Sequence, residues 1–153
     1  MSASTLVFGW GNPGRGDDAL GPLLIERLEA ARALRPGWEG VELLCDFQLQ
    51  IEHALDLQGR ARVLFVDASA AGEAPFAVAR LAAAEDAEAI SHALSPQAVM
   101  RVYERVEARP APPCELLAIA GESFELGAPL SAAAGANLEA ALAWAERWVS
   151  RGL

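Results

Sequence analysis

The side chains best suited to chemistry follow the apolar segments of this chain, where buried strands would end. They are Asn12, Asp17 and Asp18 after segment 5–10, Asp46 after segment 41–45, Asp67 at the end of segment 62–67, and His92 beyond segment 76–81. Two carboxylates and one imidazole can hold a divalent first-row metal ion, such as zinc or nickel, and leave coordination positions open. Asp67 follows a run of apolar residues, where an unpaired carboxylate is unfavourable, so a cation or a hydrogen-bond donor is expected to face it.

Each of these residues also has an ordinary structural explanation. Asp17 or Asp18 could cap the helix that follows, which is the commonest role of aspartate at such a position. Asp67 could accept hydrogen bonds from backbone N–H groups in the turn after it, and His92 could bond to the backbone of a loop. His53, the other of the two histidines, is expected at the surface or in an interface.

Strand-like and helix-like segments alternate along the chain, and these elements must position the side chains. Short apolar runs predict strands over residues 5–10, 41–45, 62–67 and 115–119, and weak alternation of apolar residues predicts another over 76–81. Apolar residues spaced near the helical period predict helices over residues 18–35, from 96 onward and over 131–149, with a short helix over 51–57. The alternation predicts one α/β domain over residues 1–153, a three-layer αβα sandwich with a largely parallel sheet of about five strands. Ligands bind outside the carboxyl ends of the strands in such sheets, so the candidate side chains should gather at one edge.

The composition excludes several classes of partner. The 153 residues carry a net charge of −9, and the basic residues are all arginines that form no cluster, so nucleic acid and anionic membranes are poor partners. The two cysteines have no metal-type spacing, and the first five residues lack the basic segment of a secretory signal. No apolar run approaches the ~20 residues of a membrane-spanning helix. A cytoplasmic protein is expected.

A nucleotide-binding loop is one alternative, because residues 9–14 (GWGNPG) match the G-x-G-x-x-G pattern directly after a predicted strand. Pro13, however, lacks an N–H group that would meet a pyrophosphate, and the carboxylates of Asp17 and Asp18 would repel it. The sequence contains no H-E-x-x-H and no G-x-S-x-G motif. Asp46 beside Cys45 works against a reactive thiolate.

Several segments together resemble the hydrogenase maturation endopeptidases. They are residues 7–13 (VFGWGNP) with 16–21 (GDDALG), 64–68 (LFVDA), 91–96 (SHALSP) and 122–127 (ESFELG). Their order and spacing agree over nearly the whole chain. The resemblance implies an enzyme that cleaves the C-terminal extension from the large-subunit precursor of a nickel–iron hydrogenase after nickel has been inserted.

The resemblance also implies roles for particular residues. The family's nickel-contacting positions correspond to Asp18, Asp67 and His92, which would be both the metal contacts and the catalytic residues. Nickel would arrive in the substrate, so the hydrogenase precursor is the implied partner, and zinc or cadmium could occupy the site in vitro. The residues expected to bind the substrate are Asn12, Asp46 and Gln48.

The loop after the second predicted strand departs from the family's common form. Residues 46–50 read DFQLQ where many members have Asp-Gly-Gly-Thr. The absence of both glycines predicts a stiffer loop and a different substrate selection, and the pattern looks similar to members that serve cytoplasmic, NAD-coupled hydrogenases. A non-enzymatic nickel chaperone and a nucleotide-binding α/β module remain the alternatives to an endopeptidase.

Overall fold

The computed structural model describes residues 4–86 and 93–153. The strands are β1 Thr5–Trp10, β2 Val41–Asp46, β3 Arg62–Ser69, β4 Phe76–Leu81 and β5 Cys114–Ala120. The α-helices are α1 Leu20–Ala33, α2 Pro96–Glu107 and α3 Ala132–Arg151. Short 3₁₀ helices cover Gly16–Ala19, Pro36–Trp38 and Ile51–Leu57.

The strands form one sheet in the order β2-β1-β3-β5-β4. β1 pairs in parallel with both β2 and β3, and β3 pairs in parallel with β5. β4 is the exception, since it runs antiparallel to β5 at the edge of the sheet. The predicted sheet of about five largely parallel strands is therefore confirmed.

The helices cover both faces of the sheet and make the predicted three layers. Alternate residues of β1 pack on opposite sides, as the two-residue period of a strand requires. Val7 packs in the core that α1 and α3 complete. Leu6 and Phe8 pack in the second core, with residues of α2 and of the 3₁₀ helix Ile51–Leu57. The inner strands β1 and β3 are therefore buried on both faces, which is typical of parallel sheets, whereas β4 at the edge is largely exposed.

The order in which strands are added to the sheet reverses beside β1, and a crevice is expected at this point. β2 lies on one side of β1 and β3 lies on the other, so the order of the strands reverses between β1 and β3. In doubly wound sheets, ligands bind at such a switch point, outside the carboxyl ends of the strands. Asp18, after β1, and Asp67, within the last part of β3, both lie at this point.

The helix boundaries follow local capping with one correction. Ser95 and Ser131 cap α2 and α3, and their side chains accept hydrogen bonds from Ala98 N and Ala134 N. The α-helix predicted from residue 18 begins instead at Leu20, because a 3₁₀ turn, Gly16–Ala19, precedes it. The predicted short helix over 51–57 is also of the 3₁₀ type. In the part of the chain that the structure describes, no helix is long and apolar enough to cross a membrane.

Candidate active site

The loop after β1 folds back on itself and holds Asp18. The backbone N–H of Asn12 donates to Asp18 Oδ2 at 2.6 Å, and the backbone N–H of Asp18 donates to the Arg15 carbonyl at 3.0 Å. The Asn12 side chain accepts from Gly14 N at 2.8 Å and so tightens the same loop. Gly11 makes the return possible: its φ is +149°, and a Cβ there would lie 2.0 Å from the Asp18 carbonyl oxygen.

Asp67 lies where β3 extends beyond β1. The last residue pair between these strands is Gly9 with Val66, so Asp67 is paired only on the β5 side, with Ala118. Burial raises the pKa of Asp67 to about 7, against the lowering effect of a hydrogen bond from Ala68 N, and the charge of Asp18 raises it further. The Ala68 N–H donates to Oδ1 at 2.8 Å, as the structural alternative expects, but Ala68 and Ser69 belong to β3, so the predicted turn at these residues is wrong.

The fold therefore brings Asp18 and Asp67 together, as the strand-end argument predicts. Among the described residues, none donates a hydrogen bond to Oδ1 of Asp18 or to Oδ2 of Asp67. Two neighbouring, half-buried carboxylates with unused oxygens suit a divalent cation, which would remove their mutual repulsion. No group of three His, Cys, Asp or Glu side chains that could hold a metal ion occurs within residues 4–86 and 93–153. His92, the predicted nitrogen ligand, lies outside the described residues.

The loop after β2 lies beside the loop after β1. Gly11 N donates to the Asp46 carbonyl at 3.1 Å, and a cavity of about 290 Å³ lies between the two loops. The cavity is lined by Gly11, Pro13, Pro22, Cys45, Asp46 and Phe47. Of the predicted substrate-binding residues, Asp46 lines this cavity, Asn12 adjoins it in sequence and the half-buried Gln48 continues the loop.

The loop after β2 is anchored rather than free. Leu49 is fully buried, and its carbonyl accepts a hydrogen bond from Leu94 N at 3.0 Å. Leu94 comes two positions after His92 in the sequence. On the other side of residues 87–92, the Asp86 carboxylate accepts hydrogen bonds from the backbone N–H and the hydroxyl of Ser95. The described chain on both sides of this segment is thus tied to the rest of the domain.

Comparison with solved structures identifies the fold. The hydrogenase maturating endopeptidase HybD from Escherichia coli is 24% identical, with a TM-score of 0.73 over 99% of this chain and 94% of that one. A [NiFe] hydrogenase maturation protease, HycI from Thermococcus kodakarensis, is 24% identical, with a TM-score of 0.68 over 97% of this chain and 91% of that one. This chain has the hydrogenase maturation protease fold. No protein-family model matches it, and no curated protein does.

Within this fold, Asp17 has a role that the sequence pattern does not reveal. It is fully buried, and its carboxylate accepts hydrogen bonds from Glu122 N, Ser123 N, Ser131 N and the Ser131 hydroxyl. Burial alone would raise the pKa of Asp17, but these bonds together hold it below the ordinary value. Neither Asp17 nor Asp18 caps the following helix with its side chain, so that alternative is wrong.

The first loop of the maturation protease fold is also not a phosphate cradle here. A phosphate site needs backbone N–H groups without partners. Within this loop, bonds inside the chain already occupy the N–H groups of Gly11, Asn12, Gly14, Arg15 and Asp17. The nucleotide-binding alternative therefore lacks its donors.

The remaining candidates are His53 and the two cysteines. His53 is only 8% exposed, so its expected surface position is wrong. Burial, followed by the charges of Asp46 and Glu29, raises the pKa of the Cys45 thiol, which agrees with the sequence argument against a reactive thiolate. Cys114 is buried, and burial raises its pKa to about 12. Neither cysteine is disulfide-bonded.

Proposed function

We propose that this protein is an endopeptidase that removes the C-terminal extension of a nickel–iron hydrogenase large-subunit precursor. One observation carries the proposal. In the fold that HybD and HycI share, this chain brings two half-buried carboxylates, Asp18 and Asp67, together at the switch point between β1 and β3. The raised pKa of Asp67 is typical of functional carboxylates.

In this proposal, nickel is part of the substrate, and the enzyme recognises the precursor by this ion. Asp18, Asp67 and His92 contact the nickel ion that the precursor carries, and this contact fixes the precursor on the enzyme next to the bond to be cut. Nickel can polarise the scissile carbonyl or activate a water molecule. Zinc or cadmium would bind the same oxygen and nitrogen donors in vitro. A cytoplasmic location is a prediction from the sequence.

The proposal gives each carboxylate a distinct task. Asp18 is held by Asn12 N and is suited to a fixed contact with the metal. Asp67, whose pKa burial raises to about 7 before the metal arrives, contacts the same ion through Oδ2, the oxygen that Ala68 N leaves free, and exchanges its proton for the metal. Asp46, Gln48 and Asn12 contact the precursor around the cavity between the two loops.

Mass spectrometry of one incubation tests the proposal. We expect the nickel-loaded precursor to lose the mass of its C-terminal extension, and the nickel-free precursor to remain intact. Asp18→Asn, Asp67→Asn and His92→Ala should each abolish the mass loss, whereas Glu122→Gln, an exposed acid near the same edge of the sheet, should retain it. Full cleavage by all three site variants, or efficient cleavage of nickel-free precursor, would contradict the proposal.

The two alternatives predict different outcomes, one in the same incubation and one in thermal unfolding. A nickel chaperone would transfer metal and leave the mass of the precursor unchanged. A nucleotide-binding module would be stabilised against thermal unfolding by NAD or ATP, by RT ln(1 + [L]/Kd). The occupied N–H groups of the loop after β1 argue against the second alternative.

A further inference from the structure

His53 is buried beside the candidate site, yet the proposed reaction does not use it. It belongs to the 3₁₀ helix Ile51–Leu57, which packs on the face of the sheet opposite α1. Its ring lies edge-on to Phe8 of β1, with 4.8 Å between the ring centroids. The imidazole is therefore packed against β1 in a defined orientation.

Both ring nitrogens of His53 bond to the loop after β2. The backbone N–H of Gln50 donates to Nδ1 at 2.8 Å. Since Nδ1 accepts a hydrogen bond, a neutral ring carries its proton on Nε2. Nε2 lies 3.0 Å from Asp46 Oδ2 and donates to it. The ring thus connects the two ends of the five-residue loop 46–50.

Asp46 is the residue that this contact orients. It ends β2 and lines the cavity of about 290 Å³ between the two loops. Its side chain is 46% exposed, so one side of the carboxylate is in contact with solvent while the other side meets His53. Its other oxygen, Oδ1, accepts from Phe47 N at 2.7 Å, which also fixes the neighbouring residue of the cavity wall.

We propose that His53 is a positioning residue that holds Asp46 in the orientation needed to bind the substrate segment entering the cavity between the loops after β1 and β2. This inference rests on the proposed function, because it assigns to that cavity a segment of the hydrogenase precursor. A backbone N–H or a cationic side chain of the bound segment is the group that the carboxylate would accept from. His53 itself does not touch the substrate.

Two substitutions separate the contacts of His53. In His53→Gln, the side-chain amide can reach Asp46 and donate to it, but it provides no acceptor for Gln50 N. In His53→Asn, the shorter side chain can accept from Gln50 N but cannot reach Asp46. We expect KM for the nickel-loaded precursor to stay near the wild-type value in His53→Gln and to rise about tenfold in His53→Asn, with kcat changing less. An unchanged KM in His53→Asn, or an equal rise in both variants, would overturn the inference.

A double-mutant cycle tests whether His53 acts through Asp46. Asp46→Ala removes the carboxylate, so adding His53→Asn to it should raise KM no further. Effects that simply add would mean that His53 acts on the reaction by another route, and the inference would be wrong.

Nitrogen NMR of the wild-type protein tests the geometry without any substrate. The chain has only two histidines, so the spectrum of His53→Gln assigns the His53 signals by difference. We expect the neutral ring of His53 to carry its proton on Nε2; a proton on Nδ1 would overturn the inference. If the wild-type protein leaves the nickel-loaded precursor uncut, the proposed function fails, and the NMR result still decides how His53 is bonded.

Discussion

The carboxylate of Asp17 accepts two hydrogen bonds from Ser131, one from its backbone N–H and one from its hydroxyl, each at 2.7 Å. The same hydroxyl oxygen accepts from Ala134 N and caps α3. Asp17, the neighbour of the candidate ligand Asp18, is thus bonded to a helix cap that lies 114 positions later in the chain. The start of α3 therefore helps to hold the loop that presents Asp18.

Asp17→Asn should destabilise the protein strongly. An amide nitrogen would replace one carboxylate oxygen and face N–H donors in a site from which water is excluded, leaving at least one of them without an acceptor. We expect the free energy of unfolding to fall by about 2–4 kcal/mol. Urea denaturation at neutral pH measures this change. Glu122→Gln is the matched control, since that side chain is exposed in the same segment and should change stability by less than about 0.5 kcal/mol.

The contribution of Asp17 to stability should depend on pH in one direction. Hydrogen bonds from Glu122, Ser131 and Ser123 outweigh burial and hold the pKa of Asp17 below its ordinary value of 3.8, so the folded state favours the charged form. Its contribution to stability is fully present above about pH 4 and is lost as the pH falls through the lower, folded pKa. The stability difference between wild type and Asp17→Asn should therefore shrink below about pH 4. A difference that persists unchanged in strong acid would contradict this assignment.

Asp67→Asn should have the opposite effect on stability. Burial, partly offset by the bond from Ala68 N and reinforced by Asp18, raises the pKa of Asp67 from 3.8 to about 7, so ionisation disfavours the folded state. Wild-type stability should fall as the pH rises from about 4 to about 7, and this component should be absent from Asp67→Asn. Above about pH 7, in the presence of a chelator, we expect the variant to be more stable by about 1–3 kcal/mol.

Measuring stability and activity together distinguishes a functional role of Asp67 from a structural one. Under the proposed function, the same variant loses cleavage while it gains stability, which is a common property of residues kept for function. Urea denaturation at several pH values measures the first effect and precursor processing measures the second. A variant that is less stable than the wild type at every pH would show that Asp67 is a structural residue.

Gly21→Ala should disrupt the contact between α1 and the sheet. A Cβ on Gly21 would lie 2.4 Å from the carbonyl oxygen of Trp10 and 3.0 Å from that of Val66, and these backbone atoms cannot move without shifting β1 or β3. We expect a loss of about 1–3 kcal/mol, larger than the gain in helix propensity. Gly37→Ala is the control, because Gly37 is exposed and nothing lies within 4 Å of its Cβ position. Equal thermal stability of the two variants would contradict the close approach.

Much of the fold could be predicted from local patterns. Apolar runs locate β1, β2, β3 and β5, and weak alternation locates β4, each to within two residues at each end. The runs succeed because a strand buried on both faces needs consecutive apolar side chains. The 3₁₀ turn Gly16–Ala19 could not be predicted, since it depends on contacts distant in sequence. Asp17 N donates to Ser123 O at 2.7 Å, and a Cβ on Gly16 would lie 2.4 Å from the same oxygen.

The site could be predicted only in part, for a related reason. Asp18 and Asp67 follow strands that the topology brings side by side, so their proximity follows from the order of the elements. Asp17 has the same residue type and nearly the same position, but its partners lie more than a hundred positions away. The role of His53 could not be predicted either. Its burial depends on packing against Phe8 of β1, and its partner Asp46 lies at the end of β2. The sequence itself does not show which of the adjacent residues Asp17 and Asp18 is the structural acid and which is the candidate metal contact.

A proton and a divalent cation should compete for Asp67, because burial and the nearby Asp18 raise its pKa to about 7. Binding of Ni²⁺ would then release a proton below about pH 7, and affinity would rise as the pH approaches that value. Calorimetry in two buffers of different ionisation enthalpy counts the released protons. The measurement is best made in His92→Ala, where that imidazole contributes none, with Asp67→Asn in the same background as control. Equal proton release with and without Asp67 would show that the cation does not bind this carboxylate.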